Sequence, residues 1–513
     1  MGQKIGQGGF FFPEVYEHSK DKVVASLMRG EMDLATVSRW HLADEFFAYI
    51  LQSKFLEHAD KTYPNPRRKN EIPVWFQISC QLLLHSLGQV SYKALDALLY
   101  SGPILNRMGF NVLAPLGFND KNTYPRKTPV HQDAVRKFFK DTDAQEMRTW
   151  FSTSLQSWFR SHGMYDNRGI FIIDQTHIVV PANENYEDAV WMPVDEFGHL
   201  YDNYDILSEE QKKALQFHPC YTLSTLLHIN DTKDAAHFAG YEWGPGNQDE
   251  LPQAMKLIDT FFRHNEPGSI KLLIVDRGYI SGDFIKYVKG AYGVDVLIPL
   301  KKSMDQYQDA LAIAYKGDVQ WVQIQAEGMD SKDVTHSVRA CTIDKICQWD
   351  ACRIPLYTTV VEDKHFDYDE HKLVTNCYVL VCTKKFDSPN QVISHYSMRV
   401  KTEDCFKQLK IAWNLTSFPS PHRSLIEAHI GFTLITFCLF QLFLSKEQNS
   451  RRLKQMLTTL MRDHVTLKDA LLVYANGYFG IFSSKEYFKL ITQLPKEAQN
   501  KIAAQLDSLP NQF

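Results

Sequence analysis

The sequence has few cysteines, and they do not form the pairs that a zinc site or a disulfide framework needs. Nine cysteines are scattered over 513 residues, with no Cys-x2-Cys pair. Their odd number, together with an N-terminus that lacks a charged-then-apolar signal pattern, argues against a disulfide-stapled secreted domain and indicates a reducing, cytoplasmic setting. Five cysteines lie between residues 341 and 382, but their spacings fit no usual zinc knuckle. Buried thiols on strands are therefore expected there.

Long hydrophobic runs are also lacking. The most apolar window, residues 430–444, spans about fifteen residues, whereas a membrane-crossing helix needs about 20. This window therefore predicts a buried core helix. The sequence has no internal repeat and no low-complexity segment. With 44% hydrophobic and 13% aromatic residues, the chain can bury large cores and is expected to divide into two to four globular domains.

An excess of positive charge is absent as well, because the formal net charge is −4. The charges are unevenly distributed, however. Residues 184–210 contain nine acids and no Lys or Arg, whereas residues 395–462 contain ten bases against four acids. Local fields steer a polyanion more than the total charge does, so a nucleic-acid partner stays open. The acidic stretch is either a solvated surface insertion or a segment that competes with a polyanion for a basic groove.

The first third of the chain has helical periodicity. Apolar residues recur at three- and four-residue spacing in four segments, which predicts an all-helical domain over residues 1–165. Loops and helix ends there carry small basic clusters, which include Arg67, Arg68, Lys69, Lys121, Arg126 and Lys127. Such cations indicate either contact with nucleic-acid phosphates or an ordinary helical domain with solvated side chains.

Two apolar runs in the middle of the chain each lead into an aspartate. Residues 170–173 precede Asp174, and residues 271–275 precede Asp276. Runs of this kind are typical of strands buried on both faces, and strand ends of α/β proteins open into crevices where polar groups gather. A single aspartate of this kind is more often a turn former than a catalyst. The full pattern predicts an α/β core over residues 166–301, in the order strand, strand, strand, helix, strand, helix, strand.

The rest of the chain changes pattern three times. Short β-like segments separated by polar turns predict a β-rich insertion over residues 302–392. Helical patterning resumes over residues 393–445, which we assign to the second part of the α/β core. Residues 446–513 are predicted to be a string of short helices.

The stretch that begins at His395 carries the most chemistry. Tyr396, Arg399, Glu403 and Lys410 are separated by steps of three, four and seven residues. On a 3.6-residue period these steps place all four side chains on one stripe of one helix. Without further evidence this stripe is a solvated helix face with ion pairs at i,i+4 spacing, each adding a few tenths of a kcal/mol.

The two strand-end aspartates change that interpretation. Asp174, Asp276 and Glu403 converging at one edge of a sheet would repel one another strongly unless a cation lay between them. Oxygen-only ligands suit Mg²⁺ or Mn²⁺, which keep water and take phosphate oxygens as further ligands. Such ions support in-line phosphoryl transfer, a reaction on a nucleic-acid backbone.

These residues resemble a known family. The spacing of Tyr396, Arg399, Glu403 and Lys410 is similar to the Tyr-x2-Arg-x3-Glu-x6-Lys signature of DDE transposases from bacterial insertion sequences. Asp174 and Asp276 stand where that family has its first two acids, at the ends of the first and fourth strands of a ribonuclease-H-like fold. The resemblance covers about residues 169–444. It implies an α/β fold with a mixed sheet, flanking helices and a β-rich insertion, plus a helical N-terminal domain and a helical C-terminal tail.

The resemblance implies a role for each matched residue. The three acids would be catalytic and would hold the metal, expected to be two Mg²⁺ ions with Mn²⁺ as a substitute. Residues for DNA contact would be Arg399 and Lys410 with Tyr396, assisted by Lys407. Arg277 and Tyr279 are further candidates for contact with DNA or for support of the site. An aromatic residue of the insertion would stack on a flipped base, with Trp321, Trp349 and Tyr357 as candidates, although each is more typical of a core.

The implied activity is DNA transposition by cutting and pasting. The enzyme would cleave at terminal inverted repeats and join the ends to target DNA. A homodimer would be needed to hold two transposon ends, no membrane would be involved, and the setting would be the nucleoid of a prokaryote. Two alternatives stay open: a ribonuclease-H-like endonuclease without strand transfer, and a domesticated DNA-binding protein without catalysis.

Overall fold

The computed structural model describes residues 17–38, 41–69, 72–95, 130–165, 169–195, 199–201, 204, 207–230, 235–324, 337–346, 349–367, 371–446 and 470–508. The chain divides into two compact units. We call Phe159–Glu184 with Asp188–Lys407 the sheet unit. The terminal unit consists of Met1–Trp158, Asn185–Glu187 and Gln408–Phe513.

The described strands are, in chain order, β1 (Glu17–His18), β2 (Leu34–Ser38), β3 (Gly169–Val179), β4 (Val190–Val194), β5 (Gln216–Asn230), β6 (Ala235–Pro245), β7 (Ile270–Val275), β8 (Asp295–Pro299), β9 (Val322–Ile324), β10 (Ser337–Ile346), β11 (Leu356–Asp367), β12 (Lys372–Cys382), β13 (Ala470–Ala475) and β14 (Tyr478–Ser483).

The described helices are α1 (Lys20–Met28), α2 (His41–Gln52), α3 (Phe55–Thr62), α4 (Val74–Ser86), α5 (Gln132–Asp141), α6 (Ala144–Trp150), α7 (Gln156–Ser161), α8 (Glu209–Ala214), α9 (Glu250–Phe262), α10 (Gly282–Tyr292), α11 (Asp305–Lys316), α12 (Pro389–Ser397), α13 (Val400–Ile411), α14 (Arg423–Lys446), α15 (Ser484–Gln493) and α16 (Lys496–Ser508). A π-helical turn (Phe151–Leu155) joins α6 to α7, and a 3₁₀ turn (Arg277–Tyr279) follows β7.

The sheet unit contains a ten-stranded mixed sheet. Its order is β4-β5-β3-β7-β8-β12-β11-β10-β9, with β6 also paired to β5. The β3–β7 and β7–β8 pairs are parallel, and the remaining pairs are antiparallel. This mixed α/β arrangement is compatible with a ribonuclease-H-like fold. The strands expected between residues 302 and 392 form, but β12 pairs with β8, so they extend the main sheet. Helix α11 also lies in that segment and was not expected.

Helices α9 and α10 pack on the sheet because each has one apolar face. In α9 the buried side chains Ala254, Leu257, Ile258 and Phe261 follow the three- and four-residue spacing of one helical stripe. They join a core with Phe171, Ile173 and Val275 of the central strands. Helix α10 begins where the Ser281 hydroxyl caps the N–H of Phe284 and ends at Gly293, whose φ of 70° suits glycine.

The terminal unit contains the long apolar helix α14. Of the described helices, it alone has the length and composition of a membrane span, and 89% of its most apolar window is buried inside the fold. It therefore serves as a core helix. Glu427 on α14 forms a buried ion pair with Arg148 of α6. At the start of α14, the Arg423 N–H donates to the carboxylate of Glu187 at 2.7 Å, which gives one member of the acidic stretch a structural role.

Two expectations for the ends of the chain are wrong. The terminal unit contains a four-stranded sheet of order β1-β14-β13-β2, so neither the first 165 residues nor residues 446–513 are all helical. Strands β13 and β14 form a hairpin around Asn476 and Gly477, whose φ values are 50° and 77°. Asn-Gly favours a two-residue hairpin turn because both residues tolerate positive φ. Several bases lie outside the described residues, namely Lys121, Arg126, Lys127, Arg451, Arg452, Lys454 and Arg462.

Candidate active site

Asp174 and Asp276 lie side by side on adjacent strands. The parallel β3–β7 pairing ends at Ile173 and Val275, and each aspartate is the next residue. Because side chains alternate across a sheet, aspartates at matching positions project from the same face. Sequence reasoning placed Asp174 at the end of its strand, which is wrong. Strand β3 continues to Val179, since β5 pairs with it throughout. Asp174 instead marks the point at which β3 loses its β7 partner.

The helix that was predicted to carry the four signature residues is two helices. Helix α12 ends at Ser397 and α13 begins at Val400. Across the break, the N–H of Arg399 donates to Tyr396 O at 3.0 Å and that of Thr402 donates to Arg399 O at 2.9 Å. These three-residue hydrogen bonds tighten the backbone into a 3₁₀-type turn. Tyr396 therefore lies on one helix and Glu403 on the next, with Arg399 in the turn between them.

This turn brings the signature side chains to the two aspartates. The Tyr396 hydroxyl donates to Asp276 Oδ1 at 3.4 Å. Arg399 Nη1 lies 3.5 Å from Asp174 Oδ2, and Nη2 lies 2.6 Å from Glu403 Oε1. One guanidinium therefore contacts two of the three predicted catalytic acids. The third acid is held by the neighbouring tyrosine.

The surroundings of Asp174 at this edge of the sheet shift the pKa of its carboxyl. Burial raises the pKa of its carboxyl to about 6. The charge of Arg399 and the N–H of Gln175 oppose that shift, while the nearby carboxylates of Asp276 and Glu403 add to it. Burial, with a contribution from Asp276, also raises the pKa of Tyr396 to about 12. The tyrosine is therefore a neutral hydrogen-bond donor at physiological pH, and the acids repel one another.

The donor set fits a divalent cation in its chemistry. Three carboxylates offer only oxygen atoms, which hard cations such as Mg²⁺ prefer. Among the residues that the structure describes, no three His, Cys, Asp or Glu side chains are close enough together to hold an ion. Positive charge at this edge comes from Arg399.

The other signature and neighbouring residues differ in exposure. Lys407 is exposed on α13, and Lys410 is half-buried in the last turn of that helix, where burial lowers its pKa. Arg277 is exposed immediately after Asp276. Tyr279 is 1% exposed and packs in the sheet core, so burial argues against the predicted contact with DNA, and its support of the site stays a prediction. The apolar residues of the signature segment are buried, with Phe406, Leu409 and Trp413 each at most 6% exposed.

The aromatic side chains considered for base stacking are in different settings. Trp321 and Trp349 both pack against the main core of the sheet unit. The Trp321 N–H donates to Ala314 O at 3.2 Å, and the Arg339 guanidinium lies 4.5 Å from its ring centroid. Packing against the core is therefore enough to account for a tryptophan at each of these two positions. Tyr357 is half-buried on β11, opposite Cys382 of β12, and stays a prediction.

Sequence reasoning missed one acid near this edge. Glu250 is the first residue of α9 and is half-buried. Burial raises the pKa of its carboxyl, and the charge of Asp276 adds to that shift. The sequence analysis predicted a helix between the third and fourth strands of the core but assigned no role to an acid on it. The sequence feature that could have pointed to Glu250 is an acid in the first turn of the helix that precedes β7.

Comparison with protein families identifies the domain to which this site belongs. A family model described as "Transposase DDE domain" matches residues 165–439, which is more than half of the chain. The chain belongs to the transposase DDE domain family. The matched segment runs from just before β3 into α14, so it includes Asp174, Asp276 and the whole signature segment. Membership supports transposase function in the broad sense. No curated protein matches the chain.

Proposed function

We propose that this chain is a metal-dependent DNA transposase of the cut-and-paste type. It recognises terminal inverted repeats, cleaves DNA at the transposon ends, and joins the freed 3′-hydroxyl groups to target DNA. The proposal rests on one observation above all: Asp174, Asp276 and Glu403 meet around Arg399 and Tyr396 at one edge of the sheet. Membership of the DDE family supports it. The Tyr-x2-Arg-x3-Glu-x6-Lys branch is the subgroup whose spacing the chain follows.

In this proposal the three carboxylates hold the metal. Asp174, Asp276 and Glu403 are the catalytic acids, and two Mg²⁺ ions, replaceable by Mn²⁺, are the expected occupants. When bound, such ions activate an attacking oxygen and stabilise the leaving oxygen of an in-line phosphoryl transfer. The carboxylates set the position of that chemistry because β3, β7 and α13 fix their backbone atoms.

The cations of the signature segment position the DNA. Arg399 presents a planar guanidinium that suits bidentate contact with a phosphate. Lys410 and Lys407 add positive charge along α13, and the neutral Tyr396 hydroxyl donates a hydrogen bond. Arg277 is an exposed cation next to Asp276 and is a further candidate for phosphate contact. The N-terminal residues are proposed to contact DNA as well, and a homodimer holds the two ends during cleavage.

The test is incubation of the full-length protein with end DNA and Mg²⁺, with separate measurement of cut ends and joined products. The expected result is both cleavage and strand transfer. Cut ends without joining would favour the endonuclease alternative, and binding without either product would favour the DNA-binding alternative. Short inverted repeats flanking the gene, bounded by a target duplication, would identify the substrate DNA.

A further inference from the structure

A fourth acidic side chain lies at the candidate active site. Glu250 opens helix α9, whose apolar face packs on the sheet beneath the two aspartates. Its carboxylate is close enough to Asp276 for the two charges to repel, and the ammonium group of Lys301, just beyond β8, partly offsets this. None of the metal or DNA roles assigned above uses this residue.

The Glu250 carboxylate lies against the backbone of Gly278, where the absence of a side chain makes room for it. A Cβ atom at Gly278 would meet Glu250 Oε2 at 2.2 Å. No non-bonded pair of heavy atoms approaches so closely, so the carboxylate occupies the space that any other residue at 278 would fill. Gly278 is two residues after Asp276, in the same 3₁₀ turn. Glu250 is therefore seated against the backbone of the turn that presents Asp276.

Tyr279 provides an independent indication of a polar ligand here. Its side chain is 1% exposed, and its hydroxyl makes no hydrogen bond of normal geometry among the described residues. Burial raises the pKa of this phenol well above its usual value, and the charges of Glu250, Asp174 and Asp276 add to that shift while the Ser224 hydroxyl opposes it. This buried hydroxyl therefore keeps a donor for a further group, since buried polar atoms are normally paired.

A simpler explanation for Glu250 is helix stability. An acid in the first turn of a helix interacts favourably with the partial positive charge there, by about 0.3 to 1 kcal/mol. That effect explains an acid at this position, but it does not require contact with Gly278 or proximity to Asp276. The neighbouring Asp249 is exposed and precedes the same helix, so it provides the same helix-end charge without the contact with Gly278.

We propose that Glu250 is a positioning residue for the divalent cation. Resting on the proposed function, this inference adds a fourth carboxylate to the three metal-holding acids. Glu250 is not a direct ligand. It strengthens binding of the cation at Asp276 by adding negative charge and by accepting hydrogen bonds from water that hydrates the ion. Groups that support a ligand set in this way contribute about 10- to 100-fold to metal affinity in other proteins.

The test is calorimetric titration of the full-length, DNA-free protein with Mn²⁺ alone. Glu250→Gln removes the charge and keeps the shape, and Gly278→Ala keeps the charge but displaces the carboxylate. Both substitutions are expected to weaken Mn²⁺ binding by about tenfold or more. The matched control Asp249→Asn removes an equal charge next to Glu250 and is expected to change affinity by less than about twofold. Thermal unfolding of each variant measures the helix-end effect separately.

Three outcomes separate the possibilities. Glu250→Gln that binds Mn²⁺ like the wild type, with only a lower unfolding temperature, would limit Glu250 to helix stability and overturn the inference. If Asp249→Asn weakened binding as much as Glu250→Gln, the effect would be general electrostatics and the inference would also be wrong. Failure of Asp276→Asn to weaken Mn²⁺ binding would contradict the proposed function itself, whatever Glu250 does.

Discussion

Two arginines in this protein each meet a glutamate, but they are satisfied to different degrees. Arg148 and Glu427 of the terminal unit are 6% and 0% exposed, and both Nε and Nη2 of the arginine donate to the carboxylate. Arg399 of the sheet unit is 21% exposed and contacts Asp174 at 3.5 Å and Glu403 at 2.6 Å. Its Nε has no hydrogen-bond partner among the described residues.

The difference distinguishes a structural ion pair from a site prepared for a ligand. A guanidinium that is almost fully buried and donates two parallel N–H groups to a buried carboxylate is out of reach of a partner from solvent. Arg148 is in that state. Arg399 keeps a buried donor unused and spans acids that a divalent cation would otherwise neutralise. A spare buried donor beside several carboxylates is the kind of arrangement that functional sites show, and it motivates the tests that follow.

The largest effect is expected from removing the acids around Arg399. Asp174→Asn, Asp276→Asn or Glu403→Gln should each lower DNA cleavage at least about a thousandfold, or about 4 kcal/mol in the barrier, because each loses a metal-holding carboxylate. Binding of end DNA should be largely retained. Gel assays of cleavage and anisotropy assays of binding measure the two separately. Cleavage that survives one substitution would remove that residue from the metal site.

Substitution in the buried Arg148–Glu427 pair is expected to lower the stability of the fold. Glu427→Gln leaves Arg148 buried without a counter-charge and is expected to lower the free energy of unfolding by about 3 to 5 kcal/mol. Arg399→Ala breaks a partly exposed contact and should change it by no more than about 1 kcal/mol. Denaturant unfolding of both variants checks this contrast. Equal losses would mean that Arg399 is a structural residue like Arg148.

Asp174 should destabilise the metal-free protein at neutral pH. Its pKa is about 6 in the folded chain against an ordinary value of 3.8. Below pH 3.8 the group is protonated whether the chain is folded or unfolded, so it makes no difference to stability. Above pH 6 it is ionised in both states, and the folded state carries the full cost of burying the charge. Asp174→Asn should therefore stabilise the fold at pH 8 by about 2 to 3 kcal/mol.

Thermal unfolding in the presence of EDTA measures this gain, and repeating it at successively lower pH provides the control. The gain should shrink as the pH falls through about 6 and disappear near the ordinary pKa of an aspartate. Divalent metal should stabilise the wild type more than the variant, since only the wild type retains all three of the proposed metal-holding acids. A gain that did not depend on pH would show that the substitution acts through packing.

Sequence reasoning found the parts of the site that local patterns encode. The apolar runs before Asp174 and Asp276 predicted buried strands, and both strands form there, because a run of that kind is stable only where both faces are covered. The same reasoning placed Glu403 on a helix with Arg399 one turn earlier. It could not find the break at residues 398–399, since a 3₁₀ turn also brings residues three apart onto one side.

The features that were missed depend on contacts between distant segments. Glu250 is near Asp276 only because α9 packs on the sheet, and no spacing in the sequence records that contact. The insertion strands join the main sheet because β12 pairs with β8. This pairing is likewise a long-range contact that no local pattern predicts. The hairpin at Asn476 and Gly477 was detectable, because Asn-Gly between two apolar runs is a strong local indication of a turn. The hairpin was missed because residues 446–513 were predicted to be helical.

The smallest expected effect concerns the unused donor of Arg399. If this guanidinium binds a phosphate, Arg399→Ala should reduce the salt dependence of end-DNA binding by about 0.9 in the slope of log K against log salt, the value for one released counterion. Lys410→Ala should reduce it by a similar amount. The control is Lys385→Ala, because Lys385 is an exposed lysine that pairs with Asp344 at 2.9 Å.

Fluorescence anisotropy with an end duplex over a range of salt concentrations gives these slopes directly. The contrast with Arg148 makes the result informative. An arginine that stays paired with a buried carboxylate contacts no phosphate and therefore displaces no counterion from the DNA. An unchanged slope in Arg399→Ala would place this arginine in the same class as Arg148 and leave the acids without a phosphate-binding neighbour in the turn. A reduced slope with unchanged stability would assign its spare donor to DNA.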